Sequence, residues 1–151
     1  MPEPKTIARA KRDKEQGKSA NTQAGEFVRE EMDHIREGKH GARSAKQAIA
    51  IGLSKARRAG VKLATPKKGR ASAATRKKAA ADSRAGAGGS ARKTSAKRSR
   101  ATSAALKREG KSAASKTALA RQAKSAARRR PASARSAAAK KAARTRKRTQ
   151  G

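Results

Sequence analysis

Beyond Pro66 the chain offers only two bulky apolar side chains, Leu106 and Leu119, to any hydrophobic core. Burial of apolar surface is what offsets the entropy lost when a chain is ordered. Any core this sequence builds is therefore expected within its first 65 residues. The charges divide at the same place: residues 1–65 carry 15 basic and 8 acidic residues, net +7, and residues 66–151 carry 28 basic and 2 acidic, net +26. Strong like-charge repulsion with so little to bury is the composition of a disordered segment. The fold class expected is thus mainly α and disordered: a short N-terminal helical hairpin, then a long basic tail rich in Ala, Lys, Arg and Ser.

Other ways of holding a small fold together are scarce. Cysteine is absent, which removes disulfides and thiolate metal sites. His34 and His40 do not hold a structural zinc by themselves, so no cofactor and no metal ligand are assigned. No apolar run approaches the roughly 20 residues that cross a bilayer, and the N-terminus shows no signal-peptide type of apolar segment. A cytoplasmic protein is expected.

Within the first part, Pro2, Pro4 and Gly17 punctuate a charged stretch, so residues 1–21 read as a flexible leader with at most a short helical turn. A helix signal follows, with Asn21 or Thr22 as its cap. Phe27, Val28, Met32 and Ile35 fall on one stripe at helical spacing, and Gly38 is the expected stop. After the basic loop 39–43 a second helix opens with Ser44 and Gln47 in capping-box spacing. Ile49 and Leu53 lead its narrow apolar stripe, and Gly60 is placed for a left-handed cap with Val61 folding back beyond it. A hairpin over 22–61 with Phe27, Val28, Met32, Ile35, Ile49, Leu53 and Val61 as its core is expected. No third helix is apparent to support it. At about 1.5–3 kcal/mol for each buried side chain, so small a core is marginal against an ordering cost of roughly 1.5 kcal/mol per residue. Self-association or a bound polyanion would stabilise it.

For the second part the expectation is a disordered linker over 62–101, helical propensity over 102–130 and 133–146 that becomes helix when phosphates neutralise the cations, and a flexible end over 147–151. Gly86, Gly88 and Gly89 read as a flexible joint, lacking the context of a phosphate loop. One internal echo stands out: Arg36-Glu37-Gly38-Lys39 recurs as Arg108-Glu109-Gly110-Lys111, with a looser copy at Glu15-Gln16-Gly17-Lys18.

The functional signal lies in the cations. Lys55, Arg57, Arg58 and Lys62 end the second helix, where they suit its dipole and can reach phosphates. Lys67 and Lys68, Arg76 with Lys77 and Lys78, Arg92 and Lys93, and Lys97 and Arg98 follow. Arg128, Arg129 and Arg130, then Lys140 and Lys141, then Arg144, Arg146, Lys147 and Arg148 complete the series. Thr65-Pro66-Lys67-Lys68 also resembles a minor-groove element of linker-histone tails, although a simple linker boundary explains it better. Base-stacking RNA recognition is disfavoured, because Phe27 is the only aromatic residue and belongs in the hairpin. Catalysis finds little to work with. Glu30, Glu31 and His34 share one helical side, but surface ion pairs and intrahelical hydrogen bonds account for them.

The block from Thr22 to Gly69 carries Gly25-Glu26-Phe27-Val28-Arg29-Glu30-Glu31, then Glu37-Gly38-Lys39-His40-Gly41-Ala42-Arg43-Ser44, then Gln47 through Val61. It resembles a small bacterial family of uncharacterised proteins built on one short domain of unknown function. That resemblance implies a bacterial, cytoplasmic accessory protein and supplies no catalytic or ligand residues. The tail resembles the Ala/Lys/Arg-rich tails of bacterial histone-H1-like proteins, largely by composition.

The function expected is therefore non-enzymatic: binding of double-stranded DNA without regard to sequence, as a histone-like, nucleoid-associated protein that condenses a chromosome by neutralising phosphates. Two other readings fit the same charge. One is an RNA- or ribosome-associated basic protein. The other is an interaction module, its hairpin binding a second copy or a protein partner while the tail only localises it. Membrane is not an expected partner.

Overall fold

The computed structural model describes residues 2–88 and 95–149. Seven α-helices occupy them: α1 (Pro4–Glu15), α2 (Ala20–Glu37), α3 (Ala45–Arg58), α4 (Ala73–Gly86), α5 (Ala96–Arg108), α6 (Lys116–Arg128) and α7 (Ala132–Thr149), with a 3-10 turn at Ser112–Ala114. The chain divides into two compact units, Met1–Ser115 and Lys116–Gly151.

In the first unit α2 and α3 pack as the antiparallel hairpin, and its punctuation is local chemistry. Ser19, not Asn21 or Thr22, caps α2: its side chain accepts from the backbone N–H of Thr22. At the other end the Gly38 N–H reaches the Ile35 carbonyl and the Lys39 N–H that of His34, with Gly38 left-handed at φ 81°. Ser44 caps α3 by accepting from Gln47 N–H, while the Gln47 amide oxygen reaches back to Arg43 N–H, one residue earlier than the usual reciprocal bond. The Val61 N–H bonds the Ala56 carbonyl and closes α3 as its spacing predicts.

The core is built differently from the expectation. Ala10, Ala24, Phe27, Ala56, Val61 and Leu63 form one buried cluster, with Ala20 and Leu53 against it. Met32 and Ile35 are buried, whereas Val28, Ile49 and Leu53 are only half-buried. Of the fourteen buried apolar residues among those described, nine are alanine. Small side chains let helix backbones approach closely. Gly52 takes this furthest, since a Cβ there would lie 2.7 Å from the Cα of Val28.

Several expectations are corrected. Residues 1–21 are not a flexible leader: α1 packs on α2, Pro4 occupies its first turn, and Thr6, Ala10 and Asp13 are buried. Arg9 pairs with Glu26, and Lys18 Nζ lies 2.7 Å from the Asp13 carboxylate. The Glu3 carboxylate, beside the His34 ring at 2.9 Å and the Lys39 ammonium at 3.3 Å, is held below the usual carboxylate range, chiefly by the His34 hydrogen bond and then by that of Lys39. Lys39 is pushed up by its hydrogen bonds to Glu37 and then Glu3.

The hairpin also has its missing support, from α1 on one helix and α4 on the other. Val61 and Leu63 reach the core from the segment after α3, and α4 then packs along α3 with Ala79 and Asp82 buried. Asp82 accepts hydrogen bonds from Ser54 Oγ and Arg58 Nε, both at 2.7 Å. The region expected to be a disordered linker thus contains a docked helix. Asp82→Ala would leave those donors without their acceptor, at a cost of about 1–3 kcal/mol. Hydrogen exchange should then show amide protection lost across α4 but kept in α2; equal loss in both helices would mean that Asp82 supports the whole unit rather than tethering α4.

The basic tail is helical as well, and neither disordered nor structureless. Ser72 and Ser95 cap α4 and α5 by accepting from Thr75 and Arg98 N–H. The Ala, Lys and Arg that follow are strong helix formers, and this propensity prevails over the repulsion that argued for disorder. The stretch of helical propensity expected over 102–130 is broken between α5 and α6. There Gly41 N–H donates to the Leu106 carbonyl at 2.9 Å and Ala42 N–H to that of Gly110 at 3.3 Å. A Cβ on Gly41 would collide with the Glu109 carbonyl oxygen, so the two chains touch backbone to backbone. The 3-10 turn then buries Ala113 and Ala114 against α2 and α3. The echo at 108–111 is consequently a docking turn, and its Gly110 lacks the left-handed conformation of Gly17 and Gly38. Of the expected flexible joint, Gly86 ends α4 and Gly88 lies in the turn after it; Gly89 falls outside the described residues, as does the end of the expected flexible terminus.

Candidate nucleic-acid interface

A cation can serve phosphate only if it is neither buried nor held by a carboxylate, so the disposition of the ten acidic residues decides which cations qualify. Each of the ten lies at ion-pair distance from a cation no further along the chain than Arg58. Glu3 is beside His34 and Lys39, Asp13 beside Lys18, Glu15 beside Lys11 and Glu26 beside Arg9. Glu30 and Glu31 lie beside Lys55, Asp33 beside Arg36 and Glu37 beside Lys39. The two acids of the basic half reach back to the hairpin, Asp82 to Arg58 and Glu109 to Arg43.

Three members of the cluster expected at the end of α3 are engaged within the first unit by this arrangement. Lys55 is held between Glu30 and Glu31, Arg57 is buried with its guanidinium donating to the Ala64 carbonyl, and Arg58 is fixed on Asp82. Lys62, Lys67, Lys68, Lys77, Lys78, Lys97 and Arg98 are exposed, while Arg76 is half-buried. Thr65 through Lys68 belong to a non-helical segment that turns at Lys67, whose carbonyl accepts from Arg70 N–H. Arg92 and Lys93 lie outside the described residues.

In the second unit the pattern is uniform. Residues 116–151 contain thirteen basic residues and no acid, and all thirteen cations are exposed. Arg121, Lys124 and Arg128 recur at three- and four-residue steps and so share one face of α6. With Ser125 and Arg129 they line an open groove of about 500 Å³. On α7, Lys140, Lys141, Arg144, Lys147 and Arg148 fall within roughly a third of the circumference at 3.6 residues per turn. Arg128, Arg129 and Arg130 sit at the end of α6, where cations suit the dipole, and Arg146 lies in the last turn of α7. Arg121 and Lys124 are absent from a reading based on adjacent cations, although their spacing to Arg128 is visible in the sequence.

Glu30, Glu31 and His34 are not the surface group expected of them. Glu31 is fully buried, Glu30 nearly so, and His34 half-buried. Among the described residues no helix is long and apolar enough to cross a membrane.

Residues 11–69 match the model of a family of unknown function (DUF6496). This agrees with a short domain of unknown function in that part of the chain; the match does not reach the tail. No curated protein and no solved structure matches the chain.

Proposed function

We propose that this protein binds double-stranded DNA without regard to sequence and acts architecturally, by neutralising and bridging phosphates, with no enzymatic role. The observation that carries the reading is the sorting of charge: ten carboxylates held by cations at or before Arg58, and thirteen exposed cations with no acid from Lys116 onward. Exposed cations arrayed along helix faces release condensed counterions from a polyanion when they bind it. Shape and charge supply that affinity, and base-edge contacts are not needed. Duplex DNA is favoured over single strands because the one aromatic residue, Phe27, is buried and cannot stack on bases. A cytoplasmic, chromosome-associated location belongs to the same reading, as does a histone-like role.

The test is crosslinking in cells followed by nucleic-acid recovery, with binding measured in parallel across salt. Recovered fragments should be duplex DNA sharing no motif. Recovery of RNA alone would replace DNA as the partner, and a Kd unchanged between about 50 and 300 mM salt would remove phosphate neutralisation as the mechanism.

A further inference from the structure

The left-handed turn at Gly38 brings His40 back beside the α2 helix it has just left. Lys39 N–H bonds the His34 carbonyl at 3.0 Å, and His40 Nε2 then lies 3.2 Å from Glu31 Oε1. Glu31 and His34 are three residues apart on one helical face. One ligand atom each from Glu31, His34 and His40 falls within 4.8 Å of the other two. We propose that these three side chains form a binding site for a divalent transition metal, with Zn²⁺ the best-suited ion, and that the metal clips the 39–43 loop to α2.

Four observations carry this. The Glu31 carboxylate is 0 % exposed, yet neither of its oxygens accepts a well-directed hydrogen bond. An ionised carboxylate in that position is costly unless a cation completes it. Lys55 Nζ lies 2.6 Å from Oε2 and also serves Glu30 at 3.5 Å, so two buried carboxylates share one ammonium and Oε1 faces the His40 imidazole.

Next, His40 has the arrangement of a metal ligand whose ring is fixed from behind. Its Nδ1 lies 3.1 Å from the Gly41 carbonyl, and an N–H there leaves Nε2 as the free lone pair directed at the cluster. On the His34 ring, Nε2 lies 2.9 Å from the Glu3 carboxylate, which leaves Nδ1 as the nitrogen available to the ion.

The spacing also suits the ion. Tetrahedral bonds of about 2.0–2.1 Å place neighbouring ligand atoms roughly 3.3 Å apart, close to the 3.2 Å separation of His40 Nε2 and Glu31 Oε1. The two imidazole centroids are 6.3 Å apart at 85°, and binding requires them to close by about 1 Å. Finally, two imidazoles and one carboxylate select zinc, copper, nickel or iron over the oxygen-seeking calcium and magnesium. Three protein ligands leave a fourth position for water.

The full-length protein, cleared of nucleic acid by nuclease and of metal by a chelator, provides the test. Co²⁺ alone should give visible absorption bands of tetrahedral intensity that saturate at one equivalent, and Zn²⁺ should abolish them. His34→Gln and His40→Gln should each weaken Zn²⁺ binding on the order of 100-fold while leaving the far-ultraviolet circular dichroism and the affinity for DNA unchanged. Absence of the Co²⁺ bands in the unaltered chain would overturn the proposal whatever the variants do. So would one-equivalent Zn²⁺ binding that survives in the double variant.

Discussion

A chain ending at Ser115 is expected to show a salt dependence of DNA binding shallower than that of the full chain by at least about five in the slope of log K against log salt. The truncation removes thirteen cations and no acid, and it falls at the boundary between the two compact units. Each phosphate contact contributes about 0.9 to that slope on duplex DNA, so six or more lost contacts give the stated change. The full chain, making that many contacts, should lose on the order of a thousandfold in affinity between about 50 and 200 mM salt. Titrations of a labelled duplex at several salt concentrations measure both. If the two chains share one slope, α6 and α7 are not the interface, and the exposed cations between Lys62 and Arg98 must carry it.

The second large effect lies in the hairpin. Phe27→Ala should destabilise the first unit by about 3–5 kcal/mol. Phe27 is 1 % exposed and is the largest member of a cluster otherwise made of alanine, one valine and one leucine. Neighbours that are mostly alanine have little side chain to move into the space a ring leaves, so much of the cavity persists. Domains of this size have only about 5–15 kcal/mol of stability in total. Thermal unfolding followed by circular dichroism should register a fall of about 12 °C or more. A fall below about 4 °C would show that the cluster collapses around the missing ring, and that alanine-to-alanine helix contact alone holds the unit together.

What the sequence made legible follows from which forces are local. Helix stops at Gly38 and Gly60 and the cap at Ser44 are written in residues that touch only their neighbours, and all three appear where their spacing predicts. The stripe of Phe27, Met32 and Ile35 is likewise readable from period alone. The supports of the hairpin were hidden because they use small or polar groups. Ala10, Ala79, Ala113 and Ala114 are buried, but in a chain so rich in alanine nothing separates them from their exposed neighbours. Asp82, one of only two acids in the strongly basic half, joins α4 to Ser54 and Arg58 of α3.

The candidate interface shows the same division. Counting charge locates the basic half of the chain but does not reveal which cations are engaged internally. Lys55, Arg57 and Arg58 resemble Lys67 or Lys77 in sequence, and only the partners Glu31, Ala64 and Asp82, from 7 to 24 residues away along the chain, set them apart. Disorder was the wrong inference for the tail because composition measures what a segment can bury. A capped, alanine-rich helix needs to bury very little.

The alanine interfaces have a consequence for how this chain can vary. At Gly52, where α3 meets α2, and at the fully buried Ala48, almost every substitution adds volume, and overpacking is penalised by about 1–3 kcal/mol. Drift in the first unit is thus limited by a ceiling on size rather than by a demand for hydrophobicity. On α6 and α7, where all thirteen cations are exposed, size is far less constrained. A lineage carrying this chain can lengthen, shorten or reshuffle its last two helices at little structural risk, while the positions that look most ordinary near its beginning are the ones least able to change.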